Sequence, residues 1–297
     1  MTDHKTSLES KTPASTKRKS TAVQVLQHLA GSSGGRLGGG IILLLVVCAL
    51  FAPLVTPYDP IKMSPQDALS PPSLKHLAGT DRFGRDIMTR IIYGSRISLK
   101  VGFAGVSIAV VVGGMLGLLA GYYSGWVDGV ICYFTNILLA LPGILLALVV
   151  VAALGPGIFN VMIAVGISSI PNYIRVVRGR TLSIKEQEFV DAARVTGSSD
   201  ARIIFRHILP NLFSAIVVLA SMGFATAVLV GAAISFLGLG AQPPTPEWGI
   251  MVTDGRTMLR QAWWLSTMPG LAIMVTALAF NLLGDSLRDA LDPRVRI

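Results

Sequence analysis

The sequence predicts an all-α protein that crosses a membrane six times. Hydrophobic residues make up 52% of its 297 residues, only 14% are charged, and the mean hydropathy is +0.64, whereas a soluble domain carries roughly 25% charged residues. The charge deficit is concentrated in uncharged runs at residues 37–58, 101–127, 129–174, 208–246 and 261–284. Each run can hold the about 20 apolar residues that a helix needs to cross a bilayer. Repeated runs of this length argue against a very apolar soluble core.

The five runs divide into six predicted spans. The third run holds two, because Gly155-Pro156-Gly157 favours a tight turn inside it. The fourth holds one helix followed by a proline-rich turn, and each of the others holds one span. The predicted spans are 38–56, 101–121, 130–152, 159–174, 213–236 and 266–284. Pro142 and Pro171 fall inside the third and fourth spans, where they are expected to kink the helix.

The spans divide the chain into a tail, a first helix with a long loop, and a core. Residues 1–36, rich in Ser, Thr and Lys, predict a disordered tail, and the full-length apolar segment that follows favours an uncleaved first helix over a signal peptide. Residues 37–100 hold the first span and an external loop, residues 101–290 the core, and residues 291–297 a short C-terminal tail.

Charge predicts the orientation. With the N-terminus inside, 16 Lys and Arg residues lie inside and 9 outside, which places both termini and residues 175–211 in the cytoplasm. Seven of the outer nine lie in the long loop 59–100, where the positive-inside rule is weak.

Several classes of function find no support in the sequence. The net charge of +9 comes from basic residues in loops, without the aromatic-basic platform of a nucleic-acid-binding protein. Cys48 and Cys132 fall inside predicted spans and are interpreted as small core residues. The predicted spans contain no acid or base, which weakens the alternative of an ion-coupled secondary transporter or channel. No catalytic, cofactor-binding or metal-ligating residue is predicted.

One stretch, residues 175–211, is polar although it lies between two apolar runs. It contains the sequence D-A-A-R-V-T-G at residues 191–197 and, after nine more residues, H-I-L-P at residues 207–210. A short helix lying across one membrane face, with both ends fixed, could transmit movement from a soluble partner to the spans. The alternative is an amphipathic hairpin that merely connects two spans.

Residues 184–194 predict the first helix of this stretch. Phe189, Val190 and Ala193 are positioned to pack. The small side chains of Ala192 and Ala193 would permit close approach of a partner surface.

A turn and a second helix are expected to follow. Gly197 allows the backbone to turn sharply with a positive φ. Residues 201–208 predict the second helix, and Pro210 is expected to bend or end it before the fifth span.

The spacing of these residues resembles the E-A-A-x3-G-x9-I-x-L-P loop of permease subunits from bacterial ABC importers. Asp191 stands in place of the Glu, and His207 in place of the Ile. Segments at residues 79–99, 237–249 and 281–293 further resemble the C-type permease subunit of dipeptide, oligopeptide, glutathione and nickel importers. The resemblance covers about residues 37–295, with Ser286 replacing a common glycine.

The resemblance implies the type I importer permease fold in the bacterial cytoplasmic membrane. It also implies that the polar loop couples the chain to an ATPase subunit through Phe189, Asp191, Ala192, Ala193, Gly197, Leu209 and Pro210. The implied partners are a homologous second permease, two ATP-binding subunits, an extracytoplasmic solute-binding protein and the lipid bilayer. The chain contains no G-x-x-x-x-G-K-[ST] motif, so ATP hydrolysis would be supplied by the separate ATPase subunits.

Two further groups have alternative interpretations. Gly113, Gly117 and Gly121 form a small-residue stripe that could pack within this subunit or against the partner permease. The external loop with Pro243, Pro244, Glu247 and Trp248 could be a stiff turn with Trp248 at the membrane interface, or could lie beside the translocation path and the docked binding protein.

One more group of charges lies before the second span. Asp81 and Asp86 stand beside Arg82 and Arg85. Because opposite charges are adjacent, local ion pairs are favoured over a metal site.

Overall fold

The computed structural model describes residues 21–291, with side chains from residue 25 onward. Every regular secondary-structure element in this range is helical. The helices are α1 (Thr21–Gly31), α2 (Ser33–Leu50), α3 (Ile87–Tyr123), α4 (Gly125–Leu139), α5 (Gly143–Leu154), α6 (Ile158–Lys185), α7 (Glu188–Val195), α8 (Asp200–Phe236), α9 (Trp248–Gly255) and α10 (Trp264–Leu291). Short helical turns lie at Ala52–Val55, Pro65–Asp67 and Arg256–Met258. The all-α prediction is confirmed.

Five of these helices, α2, α3, α6, α8 and α10, are long and apolar enough to cross a membrane within the described residues, and the bent pair α4–α5 brings the number to six if it counts as one span. The predicted third span at residues 130–152, with its kink at Pro142, is a broken pair of helices and not one kinked helix. The axes of α4 and α5 differ by 91°, and the break lies at Pro142, whose carbonyl accepts the first hydrogen bonds of α5. Pro171, in contrast, is buried inside an unbroken α6.

The N-terminal region is more ordered than its composition predicts. Residues 21–36 belong to α1 and α2, and Ser32 caps α2 by accepting a hydrogen bond from the Gly35 amide at 3.1 Å. Helix α1 packs against α2 and α10, and half-buries Val25 and Leu29 one turn apart. The predicted disorder is therefore wrong for residues 21–36, while residues 1–20 and 292–297 lie outside the described part of the chain.

The loop between α2 and α3 is folded around its charged residues. The Asp81 carboxylate accepts hydrogen bonds from the Phe83 and Arg85 amides at 2.8 and 3.0 Å and pairs with the Arg85 guanidinium at 2.6 Å. Asp86 caps α3 by accepting from the Thr89 amide at 2.8 Å. Both carboxylates thus have structural partners, and the predicted local ion pair is confirmed for Asp81.

Helix α3 links the two ends of the molecule. Its 37 residues extend about 55 Å at 1.5 Å per residue. Ile87 lies in one buried cluster with Trp248 and Trp264, and Tyr122 lies in another at the opposite end of the helix.

The glycine stripe of α3 packs against α6 of the same chain. A Cβ added to Gly113 would lie 2.8 Å from the Ile170 carbonyl oxygen, and one added to Gly117 would lie 2.7 Å from the Ile174 carbonyl oxygen. At Gly121 the corresponding contact is Thr181 Cβ at 2.6 Å. The backbones touch because no side chain separates them. Of the two interpretations of this stripe, the structure supports packing within the subunit, and these faces are not free for a partner permease.

Candidate functional site

The predicted turn at Gly197 ends α7 in the expected way. Gly197 has φ +77°, its amide donates to the Arg194 carbonyl at 2.9 Å, and the Ser198 amide donates to the Ala193 carbonyl at 3.0 Å. This pair of hydrogen bonds is a Schellman motif. No atom lies within 4 Å of the position that a Cβ would take at Gly197, so the requirement for glycine is torsional, and not steric.

Helix α7 has one buried and one exposed face. Val190 and Ala193 are buried, as the sequence predicts. Phe189, which the sequence also predicts to pack, is 38% exposed. Together with Ala192 and Val195, which is 88% exposed, it forms a row of apolar side chains three residues apart on the outer face. Asp191 also points outward and pairs with Arg194 at 3.3 Å.

The segment from residue 186 to residue 210, here called the coupling hairpin, packs onto the ends of α3 and α6 and continues into α8. Its buried residues Val190, Ala193, Ile203, Ile204 and Ile208 join a cluster with Leu118 and Tyr122 of α3, Val177 of α6 and Leu212 of α8. A polar contact reinforces this packing, since the Tyr122 hydroxyl donates to the Asp200 carboxylate at 2.7 Å. Just outside the hairpin, Lys185 Nζ at the end of α6 donates to the Ser124 hydroxyl after α3 at 3.0 Å.

The second arm of the coupling hairpin does not end at Pro210. Helix α8 runs from Asp200 to Phe236 and accommodates the proline with a π-helical turn at Ile204–Ile208. Pro210 itself is exposed and Leu209 is half-buried. Ile208 is fully buried, so it fills the core beside His207, the residue that replaces the motif's Ile.

At the opposite end of the molecule, the predicted external loop is divided between surface and core. Pro243 and Pro244 are exposed. Glu247 and Trp248 are 2% and 0% exposed. Glu247 caps α9 by accepting from the Gly249 and Ile250 amides, and Trp248 Nε1 donates to the Ile91 carbonyl at 2.9 Å.

This burial corrects the interpretation that places Trp248 at the membrane interface, because its side chain has no exposed surface. Since Pro243 and Pro244 are exposed, the position of the loop beside the translocation path stays a prediction. The role of Glu247 and Trp248 is to hold α9 against α3, because the Trp248 ring also fills the space above Gly94.

Two interactions of the hairpin region could not be found from local sequence patterns. Arg178 of α6 forms a two-pronged ion pair with Asp128 of α4, with both N–O distances at 2.5 Å, and the Cys132 thiol contacts the same carboxylate at 3.2 Å. The second is the Tyr122–Asp200 hydrogen bond. Partners 50 and 78 residues apart follow no periodic spacing. Cys132 is thus a polar contact, in addition to the small packing residue that the sequence predicts.

The apolar helices and the broken α4–α5 span define the class of polytopic membrane proteins. Comparison with known proteins leads to the same class of membrane protein. The family of binding-protein-dependent transport system inner membrane components matches residues 113–297. The N-terminal TM domain of oligopeptide transport permease C matches residues 22–72.

Individual relatives cover most of the chain. The dipeptide transport system permease protein DppC of Alkalihalophilus pseudofirmus is 49% identical over 86% of this chain and 84% of its own length. The di/tripeptide transport system permease protein DppC of Pseudomonas aeruginosa is 44% identical over 92% and 91%. The glutathione transport system permease protein GsiD of Escherichia coli O6:K15:H31 is 51% identical over 86% and 84%.

Solved structures share the fold. A structure of the inward-facing MetNI methionine ABC transporter matches with a TM-score of 0.59 at 17% identity, over 69% of this chain and 98% of the matched chain. An amino acid ABC transporter with histidines matches with a TM-score of 0.53 at 17% identity, over 67% and 92%.

The fold is therefore that of the membrane subunits of type I ABC transporters. The chain belongs to the family of binding-protein-dependent transport system inner membrane components and is a permease subunit of an ABC importer.

Proposed function

We propose that the coupling hairpin is the cytoplasmic docking site of an ATPase subunit. The observation that carries this proposal is the exposed apolar row of α7, formed by Phe189, Ala192 and Val195 on a helix whose other face is fixed to the chain. Exposed apolar side chains gain free energy when a partner covers them. A fixed hairpin can then pass the movement of that partner to the membrane helices.

The complete transporter in this proposal contains a second, homologous permease, two ATPase subunits and an extracytoplasmic solute-binding protein. ATP hydrolysis is supplied by the ATPases, since the chain lacks a P-loop sequence. The termini and the coupling hairpin face the cytoplasm, in agreement with 16 basic residues on that side against 9 on the other. Both permeases together enclose the path, and this chain forms half of it.

The proposed solutes are short peptides, with glutathione included as a tripeptide-like solute. The relatives at 44–51% identity are named for dipeptides, di/tripeptides and glutathione. The experiment that tests this class is uptake of radiolabelled dialanine and of radiolabelled glutathione by cells that lack or carry the chain. Equal uptake of both solutes with and without the chain would contradict the proposal.

The docking site is tested by substitution of Gly197. A bulky residue in the left-handed region costs about 1–2 kcal/mol, so Gly197→Trp is expected to distort the turn after α7 while the spans remain inserted. We expect a pull-down from detergent-solubilised membranes to recover about tenfold less ATPase with Gly197→Trp than with the native chain. Gly197→Asn is the matched control, because Asn tolerates a positive φ, and it should recover nearly the native amount.

The rival function, a stand-alone carrier or channel, predicts a different outcome. The native chain would then purify without ATPases or a second permease. It would also transport solute in vesicles free of ATP. Native recovery of the ATPases with Gly197→Trp would reject the docking site alone.

A further inference from the structure

The end of α3 is joined to the coupling hairpin by a well-formed hydrogen bond. Tyr122 lies in the last turn of α3 and is 5% exposed. Its hydroxyl donates to Asp200 at 2.7 Å, and Asp200 is the first residue of α8, immediately after the turn that contains Gly197. On the other side of α7, Lys185 lies 5.9 Å from the centre of the Tyr122 ring. Tyr122 therefore contacts the chain on both sides of α7.

The hairpin and α3 also share apolar contacts, and Arg194 of α7 interacts with the Tyr122 hydroxyl. Val190 and Ala193 of α7 share a buried cluster with Leu118 and the ring of Tyr122. Apolar contact is non-directional, so this cluster defines the position of the hairpin along α3 less sharply than a bond of fixed geometry does. A hydrogen bond has a preferred length and angle. The bond from Tyr122 to Asp200 therefore adds a directional restraint on the position of the hairpin.

Movement that reaches the end of α3 is also passed to α6. The backbones of the two helices touch along the glycine stripe, where an added Cβ would lie 2.6 to 2.8 Å from α6 atoms at Gly113, Gly117 and Gly121. Closely packed backbones resist sliding, since interiors are dense and repack in discrete steps. A hairpin locked to Tyr122 thus acts on a rigid pair of membrane helices.

We propose that Tyr122 and Asp200 are positioning residues that lock the coupling hairpin to α3, so that displacement by a docked ATPase moves the α3–α6 pair. This inference rests on the proposed docking of an ATPase at the hairpin. The hydrogen bond between Tyr122 and Asp200, neither of which is a motif residue, transmits movement to α3 and takes no part in docking. Without the bond, the ATPase still docks and hydrolyses ATP, but the hairpin shifts along α3 and moves the α3–α6 pair less.

The test separates docking from transmission. Tyr122→Phe removes only the hydroxyl and keeps the ring in its cluster, and the freed Asp200 carboxylate is exposed to water. Tyr123→Phe is the matched control, because the neighbouring ring is 49% exposed and its hydroxyl has no hydrogen-bond partner in the described part of the chain. Each complex is purified by pull-down and reconstituted with its binding protein in proteoliposomes. ATP hydrolysis and uptake of radiolabelled dialanine and glutathione are then measured together.

The expected result for Tyr122→Phe is native recovery of the ATPases with a fall of about five- to tenfold in solute moved per ATP hydrolysed, within the range of typical coupling free energies. Asp200→Ala should give the same fall, and the double variant should fall no further, as expected for two partners of one bond. Tyr123→Phe should match the native chain.

Two results would overturn the inference in distinguishable ways. Native uptake per ATP with Tyr122→Phe, or falls that multiply in the double variant, would reject the lock while docking at the hairpin stands. A native chain that recovers no ATPase would reject both the docking site and the lock.

Discussion

Among single residues, Glu247 has the environment least expected from its charge. Its carboxyl is 2% exposed and accepts hydrogen bonds from the Gly249 and Ile250 amides at 2.9 and 3.0 Å. Burial raises the pKa of Glu247 above its ordinary value of 4.5, and the two amide hydrogen bonds only partly oppose this shift. A carboxyl with a raised pKa in the folded state stabilises the fold most below pH 4.5, and this contribution is lost as the pH rises through the folded-state pKa.

We expect Glu247→Gln to remove this pH dependence. Gln keeps an acceptor oxygen for the α9 amides but cannot ionise, so the unfolding temperature should fall less than that of the native chain as the pH rises from 4.5. Glu247→Leu leaves the two buried amides unpaired and should cost about 1–3 kcal/mol at all pH values. Thermal unfolding of the detergent-solubilised chain across pH measures both effects. Parallel pH curves for the native chain and Glu247→Gln would contradict the assignment.

Sequence patterns predicted a residue's position well where a local rule applies. The positive φ of Gly197 followed from helix-ending chemistry, and burial of Val190 and Ala193 followed from helical spacing. Glu247 and Trp248 were placed on the surface because the proline-rich segment that contains them was interpreted as an external loop. Their burial depends on α3, more than 150 residues earlier in the chain, and no local pattern contains that contact.

At the scale of helices, the α3–α6 contact is a pairing in which glycine is required. A Cβ at Gly117 would lie 2.7 Å from the Ile174 carbonyl oxygen and 3.1 Å from the Arg178 amide nitrogen, both backbone atoms of α6. Backbone atoms cannot rotate away as a side-chain tip can. The whole of α6 must therefore move to admit even a methyl group.

Gly117→Ala is accordingly expected to destabilise the chain by about 1–3 kcal/mol, the usual cost of overpacking. Gly114→Ala is the matched control on the same helix, because no atom lies within 4 Å of its Cβ position. There the lower entropy of the unfolded chain should stabilise the helix by about 0.5–1 kcal/mol. Denaturant-induced unfolding in detergent compares the two variants. Equal stabilities would mean that α3 and α6 are farther apart than the structure places them.

The size of the break between α4 and α5 could not be predicted because hydropathy records composition and not direction. Residues 129–174 are uncharged throughout, so their composition is the same for a straight span and for two helices at 91°. Pro142 was the local signal, and it was interpreted as a kink. Pro171 has the same local chemistry, yet α6 continues through it. Contacts with neighbouring helices decide between the two outcomes, and these contacts are long-range.

For the whole molecule, the all-α class and the multi-span architecture follow from the uncharged runs, since only helices and closed barrels satisfy backbone groups in lipid. The ends of the helices do not follow from them. Helix α3 begins at Ile87 and α6 continues to Lys185, well beyond the apolar runs, because capping by Asp86 and packing of the coupling hairpin extend them. The arrangement of the loop after α2 depends on contacts as distant as Trp264 Nε1 with the Thr80 carbonyl at 3.1 Å.

The orientation of the molecule can be tested at two highly exposed residues on its opposite sides. Leu74, in the loop after α2, is 98% exposed, and Val195, at the end of α7, is 88% exposed. The two positions lie toward opposite ends of α3. In a background in which Cys48 and Cys132 are replaced by Ala, we expect a membrane-impermeant maleimide to label Leu74→Cys in intact cells. Val195→Cys should be labelled only after the cells are permeabilised, since the basic residues of the hairpin region are retained on the cytoplasmic side. The reverse pattern would place the coupling hairpin outside, where no ATPase could reach it.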